Sequence, residues 1–440
     1  MSAVDAKKTA SPVERYQAAF DARWQGNDEL TALRRAALEQ FLSAGFPTQR
    51  DEAWKYTNLR RLETRSFTPA DASALDAHQP DWLTTAGTRI ALVNGHWLPA
   101  LSSQTAQPPG VTVLTLKQWL QREPAAVAAY LKEHDQLTGN ALEQLNLAFF
   151  EDGVVVNLAD NIVLDDPIYI VHQSTSSAGG RMSHPRVVVR AGRNSRATIV
   201  EHYLGANEAE YFTNSVTRFE IAAGGSVAHF RVQQEAPRAF HIGHIQTKLA
   251  KDARYSVHDI QLGASLGRTG ITALLEGSGA HTALFGLIAP MGTQHLDAHT
   301  RIDHIAAHTT SEEDYRGIAG GKGRGVFNGK IIVRPDAQKI DSRQSSRNLL
   351  LSATAEIDTK PELEIYANDV KCSHGATTGQ LDATALFYLR SRGLSESDAR
   401  AALIRAFAES ILSTIDLAPV RNALEKQIDE RFKLANEAKA

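Results

Sequence analysis

The sequence predicts a mainly β chain with helical ends, and three successive textures carry that expectation. From Gly153 to Leu381, short runs rich in Val, Ile and Thr (VVVNL, PIYIVHQ, RVVVRAG, RATIVEHYL, GKIIVRP) are separated by Gly, Asn and Asp, as strands and turns are. Residues 1–150 are rich in Ala, Leu, Gln and Arg and space their apolar side chains three and four apart. Residues 386–440 return to that helical spacing. The expected units are therefore a helical region 1–150, a β core 151–385 and a C-terminal helical region 386–440.

The elements follow in order. DELTALRRAALEQFLSAGFP sets Leu30, Leu33, Ala37 and Phe41 on one face, and Gly45 and Pro47 close the helix. TRIALVNGHWLP reads as a strand pair around Asn94-Gly95. A second helical stretch runs from Leu116 to Phe150, interrupted at Pro124 and broken near Gly139. The β core, about 230 residues, is larger than an ordinary sandwich requires. No fixed-length repeat emerges, so composition permits a solenoid without demanding one. At the end, GLSESDARAALIRAFAESIL begins with Ser395 and Asp398 in capping-box order and aligns Leu403, Phe407 and Ile411. A second helix carries Leu424, Ile428 and Phe432. Such stripes usually pack on their own domain; the other reading is a docking surface for a partner.

Composition narrows the function classes. The 440 residues hold 47 basic and 50 acidic side chains, a net charge of −3, without the basic excess that nucleic-acid binding demands. No uncharged apolar run reaches the roughly 18 residues of a membrane span, and the first twenty residues lack a signal-peptide core, so the expectation is a soluble, cytoplasmic protein. One cysteine makes no internal disulfide and cannot by itself complete a cysteine zinc site or an iron–sulfur cluster.

Two nucleotide motifs fail. In GGKGRGVFNGK the phosphate-loop pattern wants Gly where Arg324 stands and Ser or Thr where Ile331 stands, and the dinucleotide pattern meets Val326 in place of its third glycine. Asn328-Gly329 reads as a tight turn. In QHLDAHTRIDHIAAH, residues His295, Asp297, His299 and Asp303 share strand parity, a lesser metal candidate beside the plainer reading of a solvated strand face or a hydrogen-bonded ladder within it. In YANDVKCSHGATTG, Cys372 and His374 fall on one side of a strand, roughly 6.6 Å apart, within reach of one metal or cluster edge. The plainer reading is a small buried thiol beside an incidental imidazole. Nothing nearby supplies the third group of a catalytic Cys–His pair.

YANDVKCSHGATTGQLD followed by LFYLRSRGLS, with YRGIAGGKGRGVFNGKIIVRPDAQKIDSRQSSRNLLLS, HTRIDHIAAHTTSEEDYRG and PTQRDEAWKYTNL, closely resembles the SufB/SufD family of the SufBCD iron–sulfur cluster assembly complex. The lone cysteine and the Gly after His374 favour its SufD branch. The resemblance implies a right-handed parallel β-helix flanked by N- and C-terminal helices, pairing with a SufB-like paralogue through the β-helix. It also implies that the C-terminal helices (Leu403, Phe407, Ile411) engage a SufC-like ATPase of the ABC type. His374, with Cys372 second, is then expected at the interfacial site where a transient cluster or iron is held. The resemblance further implies that the chain itself is a non-catalytic scaffold. A reduced flavin belongs to the same expectation without a motif to support it, and a homodimer is the alternative assembly in isolation. The competing readings are a purely structural scaffold and a β-helix carbohydrate-active enzyme.

Overall fold

Residues 12–73, 77–78, 87–103, 107–135 and 140–437 are described in a computed structural model of the chain, and from Gly153 to Gly379 they wind into a β-solenoid of about eight turns. Successive strands alternate between two sheets, and each pairs in parallel with the strand one turn away, from Arg186–Ala191 with Phe212–Ile221 to Ile340–Leu350 with Val370–Gly379. Among the described residues the sheets hold eleven and ten strands. The register column Phe212, Phe240, Leu266, His295, Arg324, Glu356 advances by 26 to 32 residues per turn. That variation hides the repeat from the sequence.

Strand alternation sends every second side chain into the bore, where Ile170, Val189, Ile199, Val257, Ile302 and Ile331 stack in one continuous core. One corner is turned on successive coils by a residue with φ between 53° and 77°: Asn161, Asn194, Gly224, Asp252, Gly279, His308 and Lys339. Asn, Asp and Gly adopt this left-handed region most readily, which explains the Asn-, Asp- and Gly-rich punctuation of the β texture.

The helical ends cover the outward faces of the two sheets. Helix Glu29–Ala44 is capped by Asp28, which accepts from the Thr31 N–H, and ends at Gly45 with φ 71°. Leu116–Arg122 and Pro124–Asp135 are divided at Pro124, and Ala141–Phe149 follows; Gly139 lies outside the described residues. Thr88–Val93 and His96–Trp97 form the antiparallel pair expected around Asn94-Gly95. Thr88–Val93 also pairs with Ile168–Ser174, and Val111–Thr115 with Gly153–Leu158, so this region continues both sheets. Its core, including Phe41, Trp54, Leu145 and Phe149, closes on Val155, Val188, Phe212 and Phe240 of the first sheet.

The C-terminal segment forms three helices, Ala383–Ser391, Glu396–Leu412 and Ala418–Glu437, where the spacing predicts two. Ser395 caps the second by accepting from the Asp398 N–H. Ile404, Ile411, Leu424, Ile428 and Phe432 pack on Val200, Phe230, Ile260 and Leu287 of the second sheet. Ile411 is wholly buried in the chain's own core, Phe407 is half-buried against it, and Leu403 is half-buried outside it. Of that stripe only Leu403 and Phe407 stay partly open to a partner.

Asn328-Gly329 is not a turn. Both residues lie inside the strand Arg324–Val333, paired with His299-Thr300 on one side and Lys360-Pro361 on the other. The physical reason is crowding in the bore: a Cβ on Gly329 would stand 2.1 Å from Gln344 Nε2.

Candidate functional site

The second sheet ends at Val370–Gly379, which among the described residues pairs only with Ile340–Leu350, and the first ends at Glu356–Ile365. The two unpaired edges frame an open mouth of the solenoid. Cys372 packs against the bore core, so its side of the strand is the inward one, and His374 shares it by alternation. Register places Cys372 over Ser342 and His374 over Gln344. Cys372 is half-buried and His374 exposed. Burial, with the Asp341 carboxylate, pushes the Cys372 thiol up, favouring the protonated form in this chain alone.

Below Cys372 the column is hydroxylic: Ser342 Oγ and Ser311 Oγ are 2.7 Å apart, and Ser311 also meets His304 Nε2 at 3.0 Å. Below His374 the column runs through Gln344 to Glu313, and Gln344 Nε2 donates to Glu313 Oε2 at 2.5 Å. Burial pushes Glu313 up to about 7, against hydrogen bonds from Thr300 and Gln344. Deeper still, Glu201 accepts from Thr217 at 2.9 Å and meets His229 Nε2 at 3.1 Å; bonds from His172 and His229 overcome burial and hold its carboxyl well below the usual range. Arg231 pairs with Asp259 at 2.8 Å. The bore of this half of the chain is therefore polar as well as apolar.

The lesser metal candidates occupy a different place. His295, Asp297 and His299 share the outward side of His295–His304, as parity predicts, but Asp297 Oδ2 is taken by Arg268 Nη1 and by the Thr57 hydroxyl at 2.5 Å. His295 Nε2 meets the same hydroxyl at 2.9 Å. His299 lines a cleft of about 830 Å³ with Arg268, Arg301 and Arg334. Asp303 bonds Arg301 at 2.9 Å and Arg334 at 2.6 Å. Among the described residues no group of three His, Cys, Asp or Glu side chains is placed to hold a metal ion. These residues seal the N-terminal region to the solenoid: Trp54 lies against Arg268, and Glu52 pairs with Lys360.

Sequence reasoning missed two things near the mouth. Gln344 and Glu313 were invisible because their alignment with His374 depends on a register that varies from turn to turn. The helix Ala383–Ser391, which follows the last strand, exposes Phe387 (72%) and Tyr388 (55%), and Tyr366 is 61% exposed between the two edge strands. Adjacent aromatics in LFYLRS were the available signal. Exposed aromatics of this size mark surface that a partner can cover.

Residues 172–407 match the family described as SUF system FeS cluster assembly, SufBD core domain, and residues 16–170 match the SufBD protein N-terminal region. The chain belongs to the SufBD family. Among similar proteins, an iron–sulfur cluster assembly SufBD family protein of Synechocystis is 33% identical over 410 residues, 90% of each chain. The iron–sulfur cluster assembly protein SufD of Escherichia coli is 32% identical over 399 residues, 90% of this chain and 91% of that one. The chloroplastic protein ABCI7 of Arabidopsis thaliana is 26% identical over 408 residues, covering 91% and 85%. The SufBD core match thus spans the mouth and the strand bearing Cys372 and His374, and runs into the helix Glu396–Leu412. Among the described residues no helix of this SufBD chain is long and apolar enough to cross a membrane.

Proposed function

We propose that this chain is a non-catalytic scaffold subunit in iron–sulfur cluster assembly, pairing through the mouth of its solenoid with a SufB-like chain and presenting His374 and Cys372 to the nascent cluster. The observation that carries this reading is the placement of both side chains on the inward side of the strand Val370–Gly379, whose outer edge has no partner strand among the described residues. An edge strand offers a row of free backbone donors and acceptors to a second sheet, so a partner docked there would stand directly over the two ligands. One thiol and one imidazole supply two ligands of a cluster, and the partner supplies the rest. Neutral imidazole suits ferrous iron, and few thiolates from this side leave a cluster that can later be released.

The C-terminal helices are the proposed seat of a SufC-like ATPase. Its contacts fall on the outer faces of those helices, since the inner stripe is buried. ATP energy then reaches this chain as a change of conformation, consistent with the lack of a phosphate loop in its sequence. A cytoplasmic site of action completes the reading.

The test is co-expression with SufB-like and SufC-like partners, anaerobic isolation, and comparison of iron, sulfide and visible absorption between wild type and His374→Ala. Assembly in both with cluster lost in the variant is the expected result. Equal cluster content would reduce the chain to a structural scaffold. Failure to co-purify with either partner would overturn the assembly itself.

A further inference from the structure

Glu313, Gln344 and His374 stand on three successive coils in one inward column. Gln344 and Glu313 are 4% and 1% exposed, and each keeps one side-chain oxygen, Oε1, inaccessible to water and without a hydrogen-bond partner. Other buried polar atoms of the solenoid also lack a partner, but these two acceptors are adjacent and lie directly beneath His374 in the register. Room for the hydrogen bond between the two side chains is built in. On the facing sheet Gly329 has no side chain, and a Cβ there would lie 2.1 Å from Gln344 Nε2 and 3.0 Å from Glu313 Oε2.

The pair has a definite polarity. Gln344 turns its NH₂ toward Glu313 Oε2, the orientation an ionised Glu313 requires, since a carboxylate only accepts and turning the amide over would then set oxygen against oxygen. The free Oε1 then occupies the other arm of the amide. The next coil, about 4.8 Å up the sheet, carries His374. An imidazole has one N–H to donate when neutral, and the acceptor it finds decides which nitrogen keeps the lone pair. Metal-bound histidines are routinely held this way by an oxygen behind them.

We propose that Gln344, oriented by Glu313, is a positioning residue for His374: its Oε1 accepts from one ring nitrogen and so turns the other, unprotonated, toward the mouth and the iron. This rests on the reading of His374 as an iron ligand. It goes beyond that reading by naming the device that sets the tautomer, and it gives Gly329 a role as the space in which the device sits.

The experiment records ring ¹⁵N shifts of the full-length chain, with His374 assigned by its loss in His374→Ala. The proposal expects one dominant tautomer at His374 in wild type, a mixture in Gln344→Met, which keeps the volume and removes the oxygen, and a retained single tautomer in Glu313→Gln, whose amide oxygen still accepts from Gln344. In the co-purified complex, Gln344→Met is expected to weaken ferrous iron binding about 10- to 100-fold. A tautomer mixture in wild type would overturn the proposal without need of any variant. So would unchanged shifts in Gln344→Met, even where His374→Ala still loses the cluster. Full cluster content in His374→Ala would instead sink the ligand reading, and the ring shifts would still decide the hydrogen bond.

Discussion

The guanidinium of Arg268 lies 3.9 Å from the ring centre of Trp54 while its Nη1 pairs with Asp297, a contact between the N-terminal region and the third strand of the register column below it. Arg268 and Asp297 are almost fully enclosed, with side chains 6% and 0% exposed. Removing the carboxylate strands a buried cation, a loss of about 3–5 kcal/mol in comparable pairs. Asp297→Ala should therefore lower the urea midpoint strongly and release the N-terminal region to limited proteolysis. Chelators should leave the stability of wild type unchanged, since Asp297 serves a seam. A chelator-sensitive midpoint would restore the metal reading of His295, Asp297 and His299.

Acid should destabilise the fold through its buried histidines before ordinary carboxylates titrate. Burial lowers His184 and His244 to about 3, and His202, His258, His295, His299 and His304 to about 4. For each, the folded state binds fewer protons than the unfolded one between the ordinary value of 6.5 and the lowered value. Their contribution is present above pH 6.5 and is lost as pH falls toward 4. Unfolding midpoints measured at steps from pH 7.5 to 4.5 should decline steadily. A flat profile would mean that these imidazoles reach water.

Glu313 has the opposite sign. Its folded value is raised to about 7 from 4.5, so the folded state binds more protons across that window, and stability from this group falls as pH rises from 4.5 to 7. Glu313→Gln removes the titration. The variant should lose relatively more stability than wild type as pH falls from 7 to 4.5, where wild type gains from protonating Glu313. Parallel curves would show that Glu313 is not enclosed.

Gly329→Ala should cost about 1–3 kcal/mol, because its Cβ meets Gln344 Nε2 and Phe327 Cζ, 2.7 Å away, in a closed bore. Gly375→Ala, with nothing within 4 Å of the added carbon, should be neutral. Chemical denaturation of the two variants side by side tests the contrast.

Gly329 also marks where the sequence stopped being legible. Asn-Gly between apolar runs has the local chemistry of a hairpin turn, and only the pairing of neighbouring coils shows that the glycine answers to a side chain 15 residues further on. By contrast, local signals placed the helix Glu29–Ala44, the strand pair at Asn94-Gly95 and the cap at Ser395, because each is decided within a few residues. The side shared by Cys372 and His374 was readable for the same reason, strand alternation being local. What lies beneath them was not: Gln344 and Glu313 reach that column only through turns of unequal length. The parallel solenoid itself came from family resemblance, since strand composition does not specify which strand pairs with which.

Ile411 and Phe387 separate the core from the docking surface. Ile411→Ala removes a wholly buried side chain between the helix Glu396–Leu412 and the second sheet and should cost about 2–5 kcal/mol. Phe387→Ser alters a ring that is 72% exposed, so the isolated chain should unfold at an unchanged midpoint. If the mouth and its flanking helix receive a partner, the same substitution should weaken co-purification with a SufB-like or SufC-like chain. An exposed aromatic that carries binding energy typically accounts for more than about 1 kcal/mol, at least a fivefold loss of affinity. Unchanged affinity for both partners, measured by titration with each one separately, would show that the exposed face of the helix Ala383–Ser391 is not part of either interface.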